Sequence, residues 1–111
     1  VDGRPRVLLR DEHDGENSRL LTACLEENGD LRLSGQDLGS GTRVISSDGE
    51  YEWETVVPTA HIPALLRALD APADADILDE LAARWTGPAS YDLERRIRST
   101  DIPVRFWSRS G

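Results

Sequence analysis

Tyr51-Glu52-Trp53-Glu54-Thr55-Val56-Val57, followed after Pro58 by Thr59-Ala60-His61-Ile62-Pro63-Ala64-Leu65-Leu66-Arg67-Ala68-Leu69, is the stretch in which the hydrophobic period changes. The first seven residues alternate. Tyr51, Trp53, Thr55 and Val57 take one side, and Glu52, Glu54 and Val56 take the other. Two glutamates on one side mark that side as solvated, which predicts a strand of a one-sided antiparallel sheet. Beyond Pro58 the period becomes helical, with Ile62, Leu65, Leu66 and Leu69 at i, i+3, i+4 and i+7. Thr59 reads as the N-cap, and Pro63 fits only the first turn.

Towards the N-terminus the pattern stays strand-like. Asp14-Gly15, Asn28-Gly29 and Asp48-Gly49 suit the positive φ angles of tight hairpin turns. Between them lie the strand-like runs Arg6–Arg10, Arg19–Leu25, Leu31–Ser34 and Arg43–Ser46. Towards the C-terminus the pattern is helical. Pro72 ends the first helix, and Asp74 is placed to cap a second, which carries Ile77, Leu78, Leu81 and Trp85 inward and the pair Glu80–Arg84 outward. Gly87-Pro88 stops it. Ser90 opens a third helix with Leu93 and Ile97 inward, and with Asp92–Arg96 and Glu94–Arg98 as outward pairs. Pro103 precedes a last strand, Val104–Ser108. The expected fold is α+β: an antiparallel meander sheet of about five strands, three helices packed on one face, and a C-terminal strand, all in a single domain over residues 1–111. Its core is expected to pack Leu65, Leu66, Leu69, Leu78, Leu81 and Trp85 against Leu21, Ala23, Leu25 and Val57.

Composition bounds the function. The chain has 111 residues, with 13 arginines, no lysine and 21 acids, for a net charge of −8. The charge is unevenly spread: residues 11–54 hold 12 acids and three arginines, whereas residues 95–111 hold five arginines and one acid. No apolar run approaches the roughly 20 residues of a membrane span, and no signal segment opens the chain, so a cytoplasmic location is expected. Cys24 is the only cysteine, which excludes an intramolecular disulfide and a cysteine zinc cluster. The chain holds no methionine, so Val1 is read as not the encoded start.

Few motifs carry chemistry. The cluster Asp11-Glu12-His13-Asp14-Gly15-Glu16 lacks the alternating acids and distant glutamate of a calcium loop, so no metal is expected. Ser34-Gly35-Gln36-Asp37-Leu38-Gly39-Ser40-Gly41-Thr42 is glycine-rich, but a phosphate loop of the usual kind needs a lysine. No cofactor is expected. No nucleophile–base–acid set can be assembled around His13, in a charged turn, or His61, in the first turn of a helix, so no enzymatic activity is expected. In the last strand Arg105, Trp107 and Arg109 alternate onto one side, a stacking pattern suited to single-stranded nucleic acid, although a net charge of −8 opposes a polyanion.

The order Gly35-Gln36-Asp37-Leu38-Gly39, then Tyr51-Glu52-Trp53, a leucine-rich helix, and Ile102-Pro103-Val104-Arg105-Phe106-Trp107-Ser108 resembles a group of short, uncharacterised actinobacterial proteins. The resemblance spans most of residues 20–108. It implies a source and a single-domain layout, and it carries no activity and no functional residues.

The expected function is that of a small acidic, non-catalytic protein-interaction module, of immunity or regulatory type, that binds a basic protein partner. Opposite charge speeds such an encounter and selects the partner. Gln36, Asp37, Ser40, Glu52 and Glu54 are the expected contact residues. The alternative is a single-stranded nucleic-acid binder that uses Arg105, Trp107 and Arg109.

Overall fold

The structure, a computed structural model, describes residues 5–15, 17–39 and 50–110. Five strands form one antiparallel sheet in chain order: β1 (Arg6–Asp14), β2 (Asn17–Leu25), β3 (Leu31–Leu38), β4 (Glu50–Val57) and β5 (Arg105–Ser110). Between β4 and β5 the chain makes a 3-10 turn, Thr59–His61, and three helices: α1 (Ile62–Ala68), α2 (Ile77–Arg84) and α3 (Ala89–Arg98). The α+β meander with its C-terminal strand is therefore the observed architecture. The expected strand Arg43–Ser46 and the Asp48-Gly49 turn lie outside the described residues.

Sequence dictates most of these elements locally. Gly15 and Gly29 hold positive φ angles of 61° and 90° in the two hairpin turns. Asp76, rather than Asp74, caps α2, its carboxylate accepting from the Asp79 N–H at 3.0 Å. No side chain caps α1: Pro58 precedes the 3-10 turn and Pro63 sits in the first turn of the helix. Thr59 instead donates its backbone N–H to the Asp30 carboxylate at 2.9 Å.

The helices cover one face of the sheet. Leu65, Leu66, Leu69, Leu78, Leu81 and Trp85 are buried in one cluster with Leu21, Ala23, Leu31, Leu33 and Val57, and Leu25 packs half-buried against it. Each fully buried leucine contributes about 1.5–3 kcal/mol. An exposed pair such as Glu80–Arg84 contributes about 0.2–1 kcal/mol. The apolar layer, not the surface pairing, therefore sets the stability.

Two features tie α3 to the sheet. A bulge between Leu8 and Arg10 shifts the register of β1, so that Val7 opposes Ala23 and Arg10 opposes Leu21. Bulges re-aim side chains, and this one turns Arg10 onto the helical side, where it is 3% exposed. There its Nε donates to Ser90 Oγ at 2.9 Å and its Nη2 to Glu94 Oε1 at 2.8 Å. The Tyr91 ring lies 3.6 Å from the guanidinium carbon. The second Glu94 oxygen accepts from the Trp53 indole N–H at 2.8 Å. Glu94 therefore points inward, correcting the expected outward Glu94–Arg98 pair. Asp92 pairs with Arg95, not Arg96, and Arg96 reaches the Ala68 carbonyl and Asp70.

Trp53 also explains Gly35. The two are cross-strand partners, and a Cβ on Gly35 would lie 2.2 Å from the indole Cε2 and Cζ2. Glycine is required here by close approach of the ring. Gly35→Ala is expected to cost about 1–3 kcal/mol, as overpacking of a closed core does. Ser34→Ala next to it should stay within about 0.5 kcal/mol. Chemical denaturation of both variants checks the contrast.

Candidate functional site

The pleat sorts residues 34–38 and 50–56 between two faces. Antiparallel register places Gln36 opposite Glu52, Ser34 opposite Glu54, Glu52 opposite Arg109 and Glu54 opposite Trp107. These residues share the face that carries no helix. Val56 opposes Arg105 on the same face. Leu20, Thr22, Ser34, Gln36, Glu52, Glu54 and Trp107 line a shallow groove there of about 240 Å³, floored by Gly35 and Trp53.

The side chains in this groove are held by one another. Arg109 Nη2 meets Glu52 Oε2 at 2.6 Å, and the Trp107 indole N–H donates to Glu54 Oε1 at 3.0 Å. The Gln36 amide donates to Glu50 at 3.1 Å and to Glu52 at 3.4 Å. Ser34 donates to the other Glu54 oxygen at 3.4 Å. At the far end Arg105 pairs with Asp30 at 3.2 Å. Asp30 is 8% exposed and also accepts from the Asn28 amide and the Thr59 N–H, so one carboxylate joins the β2–β3 turn, the 3-10 turn and β5.

The acidic set and the basic set of residues thus meet on one face. Glu52, Glu54 and Gln36 lie beside Arg105, Trp107 and Arg109, and the two arginines are balanced by Glu52 and Asp30. Asp37 departs from expectation. The segment Gly35–Leu38 is not a loop but the end of β3, and one residue's step along the pleat turns Asp37 to the helical side, opposite Arg19 and Tyr51. Ser40 lies outside the described residues. Sequence reasoning missed Asp30, whose only signal was an acid directly after Asn28-Gly29. It also missed Arg10, whose signal was a charge closing the apolar run Val7-Leu8-Leu9.

Asp37 is half-buried, and burial pushes its carboxyl above the ordinary range, against the opposing pull of Arg19 and Arg10. Tyr91 joins the same region, donating to Glu12 at 2.7 Å and accepting from Arg19 at 3.4 Å. Among the described residues no group of three or more His, Cys, Asp or Glu is arranged to hold a metal ion. His13 is exposed and paired with Asp11 at 2.9 Å. No described helix is long and apolar enough to cross a membrane.

No family model, no curated protein and no solved structure matches the chain.

The sign of the Asp37 displacement gives a pH signature. A carboxyl whose pKa is raised by folding contributes stability that is present below its unfolded value, about pH 4, and is lost as pH rises through the folded value. Asp37→Asn removes that loss. The variant is expected to melt higher than the parent near pH 7, with the difference closing below about pH 4. Thermal melts across that range check it, and a variant that melts lower at pH 7 would mean that the arginines dominate.

Proposed function

We propose that this chain is a non-catalytic protein-interaction module that receives a basic segment of a partner protein on its open sheet face. The observation that carries the proposal is the groove in which Glu52 and Glu54 are fixed beside the half-exposed Trp107 ring. Carboxylates pair strongly with a guanidinium, and an indole face attracts a cation, so the groove suits an arginine or lysine side chain. The contact between Arg109 and Glu52 is an intramolecular instance of the same recognition. Because the groove residues already hold one another, little side-chain freedom is lost on binding. The net charge of −8 would speed encounter with a basic partner. An immunity-type or regulatory protein of the cytoplasm fits this proposal, and the actinobacterial resemblance adds no activity to it.

The second reading, single-strand nucleic-acid binding, draws on Arg105, Trp107 and Arg109 lying together on the open face. Against it, both arginines are already ion-paired, and Glu50, Glu52 and Glu54 run alongside them. A phosphate backbone would meet the like charge of these glutamates, which a basic segment would not.

Titration with a labelled arginine-rich peptide and with labelled single-stranded DNA, each at two salt concentrations, separates the readings. Peptide binding is expected, weakened about tenfold by Glu52→Gln with Glu54→Gln, a loss equivalent to about 1.4 kcal/mol. The charge-matched control Asp74→Asn with Asp101→Asn is expected to bind like the parent. Equal losses in both double variants would show only diffuse acidity and sink the groove. Salt-sensitive DNA binding that is lost on Trp107→Ala would put the second reading first.

A further inference from the structure

The two edges of the sheet are unlike. On β1 the bulge at Leu8–Arg10 breaks the ladder, and the Gly87 N–H donates to the Leu9 carbonyl at 2.8 Å. Bulges and covering loops are how proteins blunt a sheet edge. The outer edge of β5 has no strand beside it among the described residues, and each of its faces carries an exposed aromatic ring. Phe106 on the helical side is 59% exposed and Trp107 on the open side 45% exposed, with Val104 just before the strand at 37%. A pocket of about 280 Å³ opens beside Phe106, lined by Leu33, Thr55, Glu94, Ile97, Arg98 and Val104.

We propose that β5 pairs antiparallel with β5 of a second copy of this chain about a two-fold axis, joining the two sheets into one with both helical layers on the same side. This goes beyond the proposed function and uses the outer edge of β5, which shares Trp107 with the groove. With the layers on one side, the pleat allows only even-to-even and odd-to-odd pairing. Centring the axis on Arg105 or Trp107 would oppose arginine with arginine, which is destabilising. Centring it on Ser108 leaves Phe106 facing Ser110. Centring it on Phe106 pairs Phe106 with its own copy and sets each Arg105 opposite the other copy's Trp107, twice over. That register is self-complementary, as an isologous contact must be, and it combines an aromatic pair with two cation–π pairs.

Charge selects the same edge. Two chains of net charge −8 repel, and β5 is where that acidity is cancelled, since Arg105 and Arg109 are balanced by Asp30 and Glu52. An isologous contact through β5 closes on itself, and at the other edge the β1 bulge and the Gly87–Leu9 hydrogen bond interrupt the ladder that a further copy would need.

Sedimentation of the 111-residue chain is expected to show a concentration-dependent species of twice the 12.3 kDa chain mass. Phe106→Asp is expected to weaken it at least tenfold while the melting curve of the monomer is retained, because Phe106 is exposed. In a Cys24→Ser background, Phe106→Cys is expected to give a disulfide-linked dimer under mild oxidation, because directly opposed residues lie about 4.5–5.5 Å apart at Cα. Ser108→Cys in the same background is expected to stay monomeric on a non-reducing gel. A chain that remains monomeric at every concentration overturns the proposal. So does a dimer indifferent to Phe106→Asp, and cross-linking through Ser108→Cys in place of Phe106→Cys overturns the register.

Discussion

A guanidinium buried to 3% exposure needs a partner charge, and Arg10 finds it in Glu94. Leaving either charge buried alone costs about 3–5 kcal/mol, so the two must arrive together. That requirement organises the helical half of the molecule. The β1 bulge aims Arg10 inward, and one turn of α3 supplies Ser90, Tyr91 and Glu94 around it. The remaining Glu94 oxygen holds the Trp53 indole, whose ring in turn demands glycine at position 35. A polar clamp reaching from edge strand β1 through α3 to Trp53 on β4 thereby fixes where α3 lies on the covered face.

The other face carries a groove whose polar side chains hold one another. Glu52 and Glu54 lie on β4, Trp107 and Arg109 on β5, and antiparallel pairing brings them into contact. An acidic surface and a basic surface, taken separately from the sequence, are in the fold one mixed surface with a fixed geometry. What distinguishes the face is then not its net charge but the order of its groups: two fixed carboxylates, an amide and a half-exposed indole around one groove.

Much of the fold was legible because period and burial agree. The alternation of Tyr51–Val57 and the stripe Ile62–Leu69 each place their apolar residues where the core is. Legibility failed where a residue's role depends on a partner far along the chain. Gly35-Gln36-Asp37 reads as a loop by composition, yet it is strand, because the glycine accommodates Trp53 and the pleat sends Gln36 and Asp37 to opposite faces. Glu94 suits an i, i+4 pair with Arg98 on helical spacing alone, but a partly dry partner 84 positions away holds it instead. Asp30 gathers three elements that no local pattern connects. Of the candidate site, Glu52, Glu54, Arg105, Trp107 and Arg109 could be assigned to faces from alternation. Their contact could not, since strand order is a tertiary property.

A double-mutant cycle on Arg10→Met and Glu94→Gln tests the clamp most directly, with stabilities taken from chemical denaturation. Each single change should cost about 3–5 kcal/mol, because it strands the other buried charge. The double variant should cost less than the sum by about 1–3 kcal/mol. Two small costs that add to within about 0.5 kcal/mol would mean that Arg10 and Glu94 do not depend on each other, and that α3 is held on the sheet by apolar packing alone.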